Sequence, residues 1–119
     1  MSLDVTIYRK GIIHWNDGEQ SSHEEEYYSD NITHNLNIMA EAADIYAYLW
    51  YPEEVDVQYA EDLIEPLTKG LAKLKYDPEY YMIFNPKNGW GTYERLVEFV
   101  ENYLIACKEY PNYEIVVDR

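Results

Sequence analysis

The sequence predicts an α+β fold: a small antiparallel sheet, made of an N-terminal hairpin plus a C-terminal strand, packed against three or four helices. Three observations predict it. Apolar residues alternate with polar ones at both ends of the chain, they recur at helical spacing through the middle, and the 119 residues contain no repeat, linker or low-complexity stretch, so residues 1–119 read as a single domain. With 47% apolar and 16% aromatic residues, the composition excludes a disordered tail, because a chain of this length hides roughly two-thirds of the surface its unfolded form exposes.

Each element has its own local cause. Leu3, Val5 and Ile7 alternate with Asp4 and Thr6, which predicts a strand over about 3–9. Lys10-Gly11 allows a turn, Ile12-Ile13-His14-Trp15 reads as a second strand, and Asn16-Asp17-Gly18 supplies an Asp-Gly pair suited to a tight hairpin. The segment 19–28 stays open: Gln20 to Glu26 has no apolar face, although Tyr27 and Tyr28 can anchor its end. From Ile32 the apolar residues Leu36, Met39, Ala43, Tyr46 and Trp50 follow at steps of 4, 3, 4, 3 and 4, which predicts one continuous helix. Ser29, Asp30, Asn31 or Thr33 can cap it, and Pro52 ends it. A second helical stretch starts near Asp56 with Ala60, Leu63, Leu67, Leu71 and Leu74 on one side, and Pro66 and Gly70 predict a kink or a break in it. Asp77-Pro78 opens a short helix through about Phe84. After a loop dense in turn formers, the final helix starts close to Thr92, presents Leu96, Val100, Tyr103, Cys107 and Tyr110, and stops at Pro111. Tyr113, Ile115 and Val117 alternate again, and this last strand should pair with the N-terminal ribbon.

Charge bounds the function. Nine Lys and Arg stand against 23 Asp and Glu, for a formal net charge of −14. Residues 1–68 hold only two of the basic residues, Arg9 and Lys10, and fifteen of the acidic ones. Such a field repels nucleic acid and anionic lipid and attracts cations or a basic protein surface. No apolar run approaches the roughly 18 residues of a membrane span. The single cysteine, Cys107, forms no internal disulfide, and a basic-plus-apolar secretory segment is missing from the start, so a cytoplasmic location is expected.

The stretch Asn31-Ile32-Thr33-His34-Asn35-Leu36, followed by Met39-Ala40-Glu41-Ala42, Leu49-Trp50 and Pro52-Glu53-Glu54, resembles a family of small uncharacterised proteins associated with phage, prophage and bacterial genomes. Leu63 to Leu67, Lys69-Gly70-Leu71, Asn85-Pro86, Asn88-Gly89-Trp90-Gly91-Thr92-Tyr93, Tyr103-Leu104, Ala106-Cys107 and Tyr110-Pro111 extend the likeness over most of the chain, with the acidic stretch 19–26 the least similar part. The resemblance implies a cytoplasmic protein linked to mobile elements and supplies no catalytic residues.

Two segments carry candidate chemistry. Thr33, His34 and Asn35 fall in the first turn of the first predicted helix, where unpaired backbone N–H groups favour a carboxylate or phosphate; the same residue types also serve as ordinary caps. In the loop 88–93, Asn88, Trp90 and Tyr93 accompany two glycines just before a helix, where main-chain amides can face an oxyanion and the rings can stack on a flat ligand. This is neither a P-loop nor a dinucleotide fingerprint. His14, His23 and His34 lack the three- or four-residue spacing that aims two ligands at one ion, so no metal and no cofactor is expected. Cys107 sits at core spacing, and no nucleophile elbow exists, so no catalytic residue is assigned.

The leading functional expectation is a non-enzymatic acidic binding protein that contacts a basic protein partner, with Glu24, Glu25, Glu26, Tyr27 and Tyr28 as partner-binding residues. It needs the acidic side chains to form a coherent region. The alternative is a small-molecule or nucleotide binder, an enzyme included, with a pocket between His34-Asn35 and the loop 88–93. That reading needs the two segments to converge and Trp90 to stay out of the core. Oligomeric state is left open by the sequence.

Overall fold

A computed structural model describes residues 2–14 and 20–119, those at 11–14 and 20–23 by backbone alone. It is an α+β fold. β1 (Ser2–His14) and β2 (Gln20–Thr33) form an antiparallel hairpin, and β3 (Glu114–Asp118) pairs antiparallel with the other edge of β1, giving the order β2-β1-β3. The two ends of the chain therefore pair, as the alternation at both ends predicts. Five α-helices are present among the described residues: α1 (Asn37–Ala42), α2 (Tyr46–Trp50), α3 (Glu61–Tyr76), α4 (Pro78–Met82) and α5 (Tyr93–Glu109). Short 3-10 turns at His34–Leu36 and Pro52–Val55 link them.

The sheet turns Leu3, Val5, Ile7 and Ile32 to the helices, all of them 2% exposed or less. Leu96, Phe99, Val100, Tyr103 and Cys107 of α5 and Leu63, Leu67 and Leu74 of α3 close the core from the other side. Thr92 caps α5 by accepting from the Arg95 N–H at 3.1 Å, and Asp77 caps α4 by accepting from the Tyr80 N–H at 3.3 Å. Asp77-Pro78 opens a helix as expected, and α5 starts just after Thr92, close to where the sequence places it.

Three local expectations are corrected, and the segment left open by the sequence is settled. The turn at Lys10-Gly11 does not occur: Ile12, Ile13 and His14 continue β1, because β2 offers partners along its whole length, from Ser2 opposite Thr33 to His14 opposite Gln20. The expected tight turn at Asn16-Asp17-Gly18, with Trp15, lies outside the described residues. The polar stretch before Tyr27 is strand, held without an apolar face by the backbone ladder and by opposite charges at facing positions, Arg9 with Glu25 and Lys10 with Glu24. A slip in register between Ile7 and Tyr8 makes Tyr27 the extra residue of a bulge.

The helix expected from Ile32 to Trp50 is instead a strand end and two helices. Ile32 belongs to β2, and the chain turns at Asp44, whose φ of 62° lies in the left-handed region. There Asp44 N–H donates to the Glu41 carbonyl at 3.0 Å and Ile45 N–H donates to the Ala40 carbonyl at 3.0 Å, the two bonds of a Schellman ending. Ala40 and Ile45, at the two positions that this ending sets side by side, are both fully buried.

The second expected helix starts later and does not break. Asp56 is left-handed (φ 59°), α3 begins at Glu61, and Pro66 is accommodated inside it at the cost of the hydrogen bond its nitrogen cannot make. Gly70 answers a different need. A Cβ at that position would collide with Cγ2 of Ile45, so the glycine lets α3 approach the α1–α2 corner.

Candidate functional site

The segments His34-Asn35 and 88–93 meet on one face. Asn35 Nδ2 donates to the Trp90 carbonyl at 3.3 Å across 55 residues of sequence. The loop that brings Trp90 there is built from asparagines and glycines. Asn88 Oδ1 accepts from the Trp90 N–H at 2.9 Å, Asn85 Oδ1 accepts from the Tyr93 N–H at 2.8 Å, and Gly89 and Gly91 take φ of 77° and 105°. Gly91 also lies against the opposite segment: a Cβ there would sit 2.8 Å from Cγ2 of Thr33 and 3.0 Å from Cγ of Leu36.

The individual side chains divide. Trp90 is 72% exposed and outside the core. Tyr93 is buried, and its hydroxyl donates to the Leu74 carbonyl at 2.7 Å, so only one of the two rings expected to stack is presented. Thr33 Oγ1 accepts from the Asn35 N–H at 3.3 Å, a capping bond. His34 is half-buried, and its Nδ1 accepts from Trp50 Nε1–H at 2.8 Å, which assigns the proton of the neutral ring to Nε2. The element that starts at His34 is a three-residue 3-10 turn, too short to focus the dipole that the anion-binding expectation invokes. His34, Asn35 and Asn88 line a shallow, open depression with Ile38, Phe84 and Lys87, and Thr33, Trp90 and Tyr93 are not part of its lining.

The partner-binding candidates lie along β2. Glu24 and Glu26 are exposed, and Glu25 accepts from the Tyr27 hydroxyl at 2.7 Å and faces Arg9 at 3.7 Å. The Tyr27 ring packs on Tyr110 and Tyr113, with centroids 5.2 and 4.6 Å away, while Tyr28 stacks on the buried Tyr103 at 6.0 Å. Beyond Tyr8, β1 has left β3 behind and pairs with β2 alone, so these tyrosines and the Arg9–Glu25 pair brace the root of a two-stranded arm.

A third feature did not stand out in the sequence. Between the Asp44–Val57 region and α3 runs a groove of about 570 Å³ lined by Asp44, Asp56, Glu61, Asp62 and Glu65, with Lys69 and Lys73 as its cations. Lys69 pairs with Glu65 at 2.8 Å, which holds that carboxyl below its usual value, and Lys73 pairs with Asp44. Asp62 accepts from the Gln58 and Tyr59 N–H groups, both at 3.0 Å. Five carboxylates thus face two ammonium groups. The five carboxylates are spread over 21 positions, from Asp44 to Glu65, and the signal in the sequence is the acidic count of the first half.

Among the described residues no three His, Cys, Asp or Glu side chains converge to hold a metal ion, and no helix is long and apolar enough to cross a membrane. Cys107 is buried, and desolvation pushes its thiol up to about 12, far from the range of a nucleophilic cysteine. Comparison of the chain with protein-family models, curated proteins and solved structures returns no match.

Proposed function

We propose that the protein is a non-enzymatic acidic binding protein, linked to phage or other mobile elements and acting in the cytoplasm, that contacts a basic protein partner and binds neither nucleic acid nor membrane directly. The observation that carries this reading is the groove beside α3, where five carboxylates from the acidic first half share two lysines. A concave surface with an excess of carboxylates over ammonium groups focuses a negative field and steers a cationic partner toward it. Tyr48 lines the same groove and adds contact area at low entropic cost. The test is association with a lysine-rich peptide, measured by anisotropy at low ionic strength and again at about 0.5 M salt, where screening reaches within a few ångströms. Binding that salt abolishes, and that the double substitution Asp56→Asn with Glu61→Gln weakens, supports the reading. Absence of any salt-sensitive binding refutes it.

A second reading is favoured by the contact of Asn35 with the Trp90 carbonyl and the exposure of Trp90: a ligand-binding surface for a small planar molecule. Quenching of Trp90 fluorescence by a nucleoside, lost on Trp90→Ala, is its test.

A further inference from the structure

We infer that the open edge of β2 takes up an extended basic peptide as a fourth strand of the sheet. The inference rests on the acidic-binding reading for the sign of the partner, and it adds where and how the partner docks.

The direction of the backbone groups is set by three hydrogen bonds, two on the β2 side of the sheet and one on the β3 side. The Asn31 carbonyl accepts from Arg95 Nη2 at 2.6 Å and the Asn31 N–H donates to Asp30 Oδ1 at 2.8 Å, so both groups point away from β1. Across the sheet, the Ile115 N–H donates to the Gln58 carbonyl at 3.1 Å, so Ile115 also points away from β1. In an antiparallel ladder the bonded pairs alternate. Asp4 opposite Asn31 and Ile7 opposite Ile115 are then non-bonded pairs, which makes Thr6 opposite Ser29 non-bonded as well. Ser29 therefore turns its N–H and carbonyl outward, and beyond the bulge Glu26 does the same.

The two edges of the sheet differ. At its Glu114 end the β3 edge is covered by the bridge from Tyr59, and at the Asn31 end β2 is closed by Arg95, which also pairs with Asp30 at 3.0 Å and Glu98 at 2.9 Å. From Ser29 toward Glu24 nothing comparable among the described residues covers β2, and a groove between its Tyr27–Asp30 part and α5 is lined in part by Ile105, which is 61% exposed, and Glu109. An added strand would turn alternate side chains toward Ile105 and the others toward the solvent face, where Glu24 and Glu26 stand exposed. Charge selects the occupant. A second copy paired through the same edge would set Glu24, Glu25 and Glu26 against their equivalents, whereas a strand of alternating apolar and basic residues places opposite charges side by side. Main-chain hydrogen bonds and alternate side chains are the two components of strand-addition recognition.

The experiment uses the full chain labelled with nitrogen-15 and two synthetic capped octapeptides of alternating valine and lysine, identical except that one carries N-methyl groups on alternate amides. The expected result is slowing of Ser29 amide exchange by about tenfold or more with the plain peptide and weaker binding of the methylated one by a similar factor, since methylation removes ladder donors without touching charge. Ser29→Pro removes the outward N–H alone, leaves the β1–β2 ladder intact and is expected to weaken binding of the plain peptide alike. Equal affinity for both peptides, or protection that excludes Ser29, overturns strand addition and leaves the acidic-binding reading standing. Absence of salt-sensitive binding by either peptide overturns both.

Discussion

Gly91 and Gly89 sit two residues apart in the same loop with the same sign of φ, and substituting each by alanine separates backbone strain from close approach. A left-handed residue costs roughly 1–2 kcal/mol more for alanine than for glycine, and both positions incur this. At Gly89 a Cβ meets nothing within 4 Å, so Gly89→Ala should lose about 1–2 kcal/mol and no more. At Gly91 the Cβ lands 2.8 Å from Thr33 and 3.0 Å from Leu36, both under normal van der Waals separation. Leu36 is fully buried and cannot swing aside, so overpacking adds roughly 1–3 kcal/mol, and Gly91→Ala should lose about 2–5 kcal/mol. Urea denaturation followed by far-ultraviolet circular dichroism measures both. Because relief requires the loop to lift off Thr33, Gly91→Ala should also break the Asn35–Trp90 contact, visible as a changed Trp90 emission that Gly89→Ala does not show. Equal losses for the two variants would refute the claim that the loop is pressed against the His34 turn.

Other outcomes follow from the core and its titrating groups. The Tyr103 hydroxyl is buried without a hydrogen-bond partner among the described residues, so Tyr103→Phe should leave stability unchanged or raise it by about 1 kcal/mol in urea melts; a loss above about 1 kcal/mol would mean that the hydroxyl is satisfied. Burial raises the Cys107 thiol from 9.0 to about 12 and the Tyr103 phenol well above 10.0. The unfolded chain therefore releases these protons first, stability is fully present below about pH 9, and it falls as pH rises toward 12, by up to about 1.4 kcal/mol per pH unit for each group. Urea midpoints at pH 7, 9 and 10.5 check this. Trp50→Phe removes the bond to His34 Nδ1 from a nearly enclosed ring and should cost about 1–3 kcal/mol by the same assay.

What was readable along the chain, and what was not, follows the range of the forces involved. The alternation of Leu3, Val5 and Ile7, the stripe of α5, the helix opened by Asp77-Pro78 and the start of α5 close to Thr92 depend on neighbours within about four positions, and each is observed as expected. The pairing of β3 with β1 could be inferred because few alternatives existed. By contrast, Gln20 to Glu26 carries no hydrophobic signal, since its strand is held by backbone bonds to β1, a partner that periodicity cannot reveal. The stripe from Ile32 to Trp50 keeps its helical spacing across a corner because both short helices bury residues in one core, and spacing alone does not report the left-handed turn at Asp44. Gly70 resembled a breaker and is a contact with Ile45.

The same division holds for the candidate site. Residue types identified His34, Asn35 and Trp90 as a set worth placing together, and the charge count located the negative field in the first half. That Trp90 is presented while Tyr93 is enclosed, that five carboxylates frame one groove, and that Ser29 turns its amide to an open edge are decided only when segments distant in sequence pack together. Burial and hydrogen-bond direction are properties of what surrounds a residue in space, and composition and spacing carry no record of them.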